Sequence, residues 1–234
     1  GTENTAVGKD ALKLNVGAIQ NTAVGTSALR DNTTGACNTA VGFNSLVQST
    51  TGSTNTAIGR EALFSNTTGH SNVAVGASAL KSNTEANQNT AIGTDALTTS
   101  TTAGSNTAIG HDALKLTTTG GQNNAFGDGA MSANTIGCRN VAMGNGVMIK
   151  NTEGLCNTAL GHIAMQCNVT GDNNTAVGAS ALHKNTASNN SAVGQNALAC
   201  NTTGTSNVAV GTSALSSNNT AEQNVAVGFK SLFS

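Results

Sequence analysis

Proline, tryptophan and tyrosine are absent from this 234-residue chain, and phenylalanine occurs only five times. Lys, Arg, Asp and Glu make up 9% of it, against roughly 25% in an ordinary soluble domain. So little aromatic surface argues against an enzyme with a deep aromatic-lined pocket. A net charge of −1 argues against a nucleic-acid or anionic-membrane surface, since both need clustered Lys and Arg. No apolar run approaches the roughly 18 residues of a membrane helix, so this segment is not expected to insert into a membrane. Low hydrophobicity would fit disorder, but disorder comes with high net charge or Pro-rich tracts, and neither is present. What the chain has in quantity is Asn, Thr and Gly, at 32, 35 and 28 residues, about 41% of the total.

These residues are sorted by register. A block of the type Asn-Thr-Ala-Val-Gly opens at Asn4, and its Asn returns at Asn21, Asn38, Asn55, Asn72, Asn89, Asn106, Asn123, Asn140, Asn157, Asn174, Asn190, Asn207 and Asn224. The spacing is 17 residues, except for one 16-residue unit beginning at Asn174. With each Asn as position 1, position 3 is Ala and position 5 is Gly in all fourteen units. Position 4 is apolar, mostly Val or Ile, with Phe126, Met143 and Leu160 as departures; position 9 is Leu or Met throughout. Position 12 is Asn, Ser or Thr, followed by Thr-Thr-Gly in five units.

A helix does not fit, because Asn, Thr and Gly fill about seven positions of each unit and two turn clusters interrupt it. The pattern predicts an all-β fold, a parallel β-solenoid of about fourteen coils. Each coil is expected to carry two short strands, at positions 2–4 and 7–10, separated by the Gly. Units this short cannot bury a face alone and must stack. All 21 charged side chains fall at positions 6, 7, 10, 11, 14, 16 or 17, which marks those positions as solvent-facing. Positions 4 and 9 are expected to form two apolar columns inside the coil. Alternation along a strand then puts the Ala of position 3 on the opposite face, a surface expected to pack against further copies of the chain. The Asn column from Asn4 to Asn224 is expected to form an amide ladder that satisfies turn backbone groups. The missing proline fits such a ladder, which needs its N–H donors.

Asn21–Gly25 (Asn-Thr-Ala-Val-Gly) and Asn207–Gly211 (Asn-Val-Ala-Val-Gly) carry a resemblance. They resemble the Ser-Val-Ala-Ile-Gly core of the head repeats of trimeric autotransporter adhesins, the YadA-like heads. Similar arrays with Ala-Leu and Asn-Thr-Thr-Gly occur in phage tail-fibre-type proteins, and the resemblance spans essentially the whole chain. It implies a left-handed β-roll, three chains side by side, and a structural or adhesive role in an extracellular fibre of a cell surface or virion. The adhesin repeat is nearer 14 residues, so the extra three here enlarge the coil. Residues 1–234 are expected to be one repetitive segment, uncapped at both ends, of a longer fibre protein. The self-association expected is a homotrimer, with head-to-tail polymerisation as an alternative. Recognition of a host-surface glycan or protein is expected on the variable positions 6, 7, 10, 11, 16 and 17, or on a terminal domain outside this segment.

Other constellations read more plainly. The five cysteines (Cys37, Cys138, Cys156, Cys167, Cys200) include no Cys-x-x-Cys spacing. Cys167 and Cys200 share position 11 but lie two coils apart, roughly 9–10 Å, beyond the ~7 Å Cα limit of a disulfide. The four histidines lack ligand spacing and are expected at the surface. No metal or cofactor is expected. Asp95 and Asp112, both at position 7 of neighbouring coils, are the one acid pair that a glycan-cleaving solenoid would offer. No catalytic set emerges around them, and the chain is read as non-enzymatic. Asn32, Asn66 and Asn201 open Asn-Thr-Thr sequons, which are also simple turn chemistry. Thr columns at positions 2 and 13 raise ice binding as an alternative, although position 2 shares its face with the apolar position 4. Finally, all four Met and three Cys fall between residues 131 and 167, where Ile136, Ile149, Leu155 and Ile163 replace residues that are polar in most units. These four are a candidate contact patch; repacking around larger core residues is the alternative.

Overall fold

The computed structural model describes residues 1–233 and has no helix among them. Fourteen three-residue strands follow in order: β1 (Thr5–Val7), β2 (Thr22–Val24), β3 (Thr39–Val41), β4 (Thr56–Ile58), β5 (Val73–Val75), β6 (Thr90–Ile92), β7 (Thr107–Ile109), β8 (Asn124–Phe126), β9 (Val141–Met143), β10 (Thr158–Leu160), β11 (Thr175–Val177), β12 (Ser191–Val193), β13 (Val208–Val210) and β14 (Val225–Val227). The chain divides into two compact units, Gly1–Thr119 and Gly120–Ser234. The first contains β1–β7 and the second β8–β14. Within each unit every strand pairs in parallel with the next, one coil on. Register is kept residue for residue, with Ala23 opposite Ala40 and Ala142 opposite Ala159. The repeat therefore folds as a parallel β-solenoid.

Each strand stops at the Gly of position 5, where φ is +122° to +139°. A Cβ on Gly25 would stand 2.5 Å from the carbonyl oxygen of Gly42 in the next coil. Backbone angle and close approach both require Gly there.

The strand presents the opposite face from the one the pattern suggests. Ala23, Ala40, Ala57, Ala74, Ala91 and Ala108 at position 3 are fully buried, so the Ala column lies inside the coil. Position 4 points outward: Ile58 is 41% exposed and Ile92 39%, while Val24, Val41 and Val75 are half-buried. The interior of each coil consists of Ala at positions 3 and 8, Leu or Met at position 9, and the Asn of positions 1 and 12. The coil is thin, and its cross-section fits methyl groups and amides where Val was expected.

The second expected strand is also absent. Positions 6–11 form a turn, with both position 7 and position 9 in the left-handed region, as in Ser27 (φ 59°) and Leu29 (φ 50°). For a leucine that conformation costs on the order of 1–2 kcal/mol, and full burial of Leu29 offsets it by about as much. The ladder between coils nevertheless continues through the turn. Leu29 N–H donates to Ser45 O at 3.0 Å and Asp31 N–H to Val47 O at 3.1 Å. On the other turn, the amides of Thr33, Thr34 and Gly35 converge on the single carbonyl of Thr50 one coil on, at 2.9, 3.2 and 3.4 Å. The Thr33 hydroxyl adds a fourth bond to it at 2.9 Å.

Candidate functional site

Two asparagine columns set the coil geometry. Within each unit, the backbone N–H of a position-1 Asn donates to the Oδ1 of the Asn one coil before, as from Asn38 to Asn21 and from Asn157 to Asn140, both at 2.9 Å. The Nδ2 of the same side chain donates to the position-15 carbonyl that closes its own coil, as from Asn38 to Gly52 at 2.8 Å. At position 12, Nδ2 reaches that same class of carbonyl and also the Oδ1 of the preceding coil. Asn83, for example, donates to Asn66 Oδ1 at 2.7 Å and to Ala86 O at 3.1 Å. Away from the first and last coils both columns are buried, where an unpaired amide would cost most. Sequence reading singled out only the position-1 column; the recurrence of Asn at position 12 was the signal for the second.

The sequons belong to this second column. Asn32, Asn66 and Asn201 are fully buried, with Nδ2 donated to Gly35, Gly69 and Gly204. Their amides are committed to the interior of the folded chain.

The outward strand face is the broadest regular surface. In each unit it carries a column of mostly Thr or Val at position 2 beside a column of Val, Ile or larger residues at position 4, each position paired with its counterpart one coil on, as Thr22 opposite Thr39 and Val24 opposite Val41. Ile58, Ile92, Met143, Val193 and Val210 are each left 39–48% exposed on it.

The 6–11 turn carries charge. In the first unit several of its cations pair with acids: Lys13 with Asp10, Arg30 with Asp31, and Lys81 with Glu61 of the preceding coil at 2.8 Å. The Lys81 hydrogen bond holds the Glu61 carboxyl below its ordinary range. Asp95 and Asp112 do share one face, and Lys115 lies between them, 3.5 and 3.0 Å away. The hydrogen bond to Asp112 raises the Lys115 ammonium. The acid pair is thus engaged in an ion cluster. His111 Nε2 stands 3.6 Å from Asp112. Among the described residues, no three His, Cys, Asp or Glu side chains are grouped to hold a metal ion.

The Met-rich window divides between core and surface. Met131, Met148 and Met165 occupy the buried position-9 column in three successive coils, while Met143 lies on the strand face. Ile149 and Ile163 are half-buried in the 6–11 turn. Their methyl groups approach to 3.7 and 3.4 Å from where Gly129 and Gly146 would carry a Cβ. Ile136, 48% exposed, and Leu155, half-buried, sit on the other turn, at positions 14 and 16. The four residues therefore fall on two turns of the coil. All five cysteines are free.

No family model, curated protein or solved structure matches the chain.

Proposed function

We propose that this chain is a structural or adhesive fibre segment of a cell surface or virion, in which copies associate side by side through the outward strand faces. Three copies is the number implied by the adhesin-head resemblance. The observation that supports this reading is the strand face itself. It is apolar along position 4, regular at the coil spacing, and identical in every copy, so each chain offers its neighbour a matching surface. A thin coil with an Ala–Leu–Asn interior has little apolar surface to bury alone, and association would add to it. The in-register ladder resists bending and has no free lateral edge within a unit, which suits a mechanical role. Receptor contact, with a glycan or protein, would then fall to the variable positions of the turns. Sedimentation equilibrium tests the association: the expected mass is three times that of the chain, and a folded monomer at micromolar concentration overturns it.

A second reading uses the same face. With positions 2 and 4 both outward, Thr and Val ranks form a regular array of hydroxyls and methyls, the kind of surface that orders ice. Thermal hysteresis in a monomeric sample would favour this reading over the fibre.

A further inference from the structure

We propose that Asn145 is a modification site, at which the folded chain converts asparagine to aspartate or isoaspartate by intramolecular deamidation, with water as the only co-reactant. Of the 32 asparagines, Asn145 alone precedes a glycine. Most of the others belong to the two columns, with their amides bonded to carbonyls inside the coil. Asn140 and Asn151, for example, both donate to Gly154 O, at 2.8 and 3.2 Å. Asn145 stands at position 6 and is exposed.

Asp128, at position 6 of the preceding coil, touches both halves of the reacting pair. Its Oδ2 accepts from Asn145 Nδ2 at 3.2 Å, and its main-chain carbonyl accepts from Gly146 N–H at 3.0 Å. The amide is thus held on the outside of the coil, and one ladder bond restrains the nitrogen that must attack. The surrounding turn lacks a bond that its counterparts share. In thirteen turns the position-8 N–H donates to the position-5 carbonyl at 3.1–3.5 Å, as Ala130 does to Gly127. Among the described residues, the turn from Gly144 to Val147 is the one in which that bond is not made. Val147 stands there where every other unit has Ala or Ser. Local opening of this turn frees the Gly146 nitrogen, and glycine has no side chain to obstruct its approach.

The Gly146 main-chain nitrogen gives its proton to solvent and attacks Asn145 Cγ. A new N–C bond closes a five-membered succinimide, the Cγ–Nδ2 bond breaks, and Nδ2 takes up a proton from water and leaves as ammonia. Water then opens the ring at either carbonyl. One carbonyl gives aspartate; the other gives isoaspartate, which adds a carbon to the main chain. The net change is one water consumed and one ammonia released, with no oxidation or reduction. Either product puts a carboxylate where an amide donated to Asp128. Two like charges then stand one coil apart, about 4.8 Å, and oppose each other.

The unsubstituted chain is incubated below its melting temperature in mildly alkaline heavy-oxygen water, then digested in ordinary water and mapped by peptide mass. The Asn145 peptide should take up label before any other asparagine peptide. Gly146→Ser should remove that lead, and Ser27, Ser78 and Ser180 show serine accommodated at position 7 with φ 57–59°. Asn145 unlabelled while other asparagines gain label, or labelled as fast in Gly146→Ser, overturns the proposal. The product is read separately: Asn145→Asp should lower the melting temperature, and lower it less in a chain that carries Asp128→Asn. No loss, or an equal loss in both backgrounds, overturns the opposition assigned to Asp128.

Discussion

Asn32 and Ser49 stand one above the other in the position-12 column, and both Asn32 Oδ1 and Ser49 Oγ are buried without a hydrogen-bond partner. Elsewhere in that column the Nδ2 of the next Asn donates to the Oδ1 before it, as Asn151 does to Asn134 at 3.0 Å. Serine is too short to reach. Asn83 Oδ1 is orphaned in the same way above Ser100, and Asn168 Oδ1 is orphaned where the 16-residue unit begins at Asn174. These three gaps in the ladder leave the Asn32, Asn83 and Asn168 amide oxygens buried and unpaired.

Ser49→Asn should therefore stabilise the protein by about 1–2 kcal/mol, restoring one buried hydrogen bond and removing one desolvated orphan. Asn151→Ser should destabilise it by about 2 kcal/mol for the converse reason. Denaturant unfolding of the two variants checks both signs. No gain from Ser49→Asn would mean that the gap is already filled by another donor.

Backbone conformation separates two small-residue positions that look alike. Gly76 at position 5 has φ +131°, and an added Cβ would stand 2.6 Å from backbone atoms of Gly93. Gly76→Ala should cost more than about 3 kcal/mol, with strain and overlap combined. Ser78 at position 7 has φ 58°, a value that favours Gly. Gly129 and Gly146 already occupy position 7, with φ 64° and 63°. Ser78→Gly should be neutral or stabilising by up to about 1 kcal/mol. Melting temperatures of the two variants should move in opposite directions, or only the Gly76→Ala value should fall.

The repeat length, the parallel stacking and the Gly corner were all legible in the sequence, because register alone specifies them. The direction of the strand was not. In Thr-Ala-Val, hydrophobicity puts Val24 inside, and only the width of the coil puts Ala23 there. Width depends on how the turns close, and the turns were misread. Asp95, Asn44 and Gly129 at position 7 were a legible sign of a left-handed residue, yet Leu at position 9 carried no such sign. With both left-handed, positions 6–11 bend where a strand was expected. The candidate surface moved with the strand, from the Ala column to the position-4 column. The split of the Met window between core and two turns follows from side-chain direction, which register does not reveal.

That inversion yields a prediction with two arms. Ala91 is fully buried and Ile92, its neighbour, is 39% exposed. Ala91→Leu should overpack the coil and cost about 1–3 kcal/mol, with weaker circular dichroism or a lower melting temperature. Ile92→Lys should leave the isolated coil folded, since the side chain already meets solvent, and should instead lower the assembled mass seen by sedimentation. If Ile92→Lys unfolds the chain while Ala91→Leu spares it, the strand parity is the reverse of the one described here.

Acid should weaken the fold through His183. Burial, helped by Lys184 and Lys150, lowers its affinity for a proton in the folded state, from an ordinary imidazole value of about 6.5. The unfolded chain then binds more protons than the folded one between the two values, so stability rises with pH there. The destabilisation should begin as pH falls through the unfolded value and level off below the folded one. His183→Gln removes the titration while keeping a side chain that Gln166 shows to be tolerated at position 10. Melting temperature followed from pH 7 to pH 5 should slope less in the variant. Glu61, lowered mainly by its Lys81 hydrogen bond, weakens the fold only at more acidic pH, so the two contributions separate along the same titration. An identical slope in wild type and His183→Gln between pH 7 and pH 5 would show that His183 is equally protonated in both states.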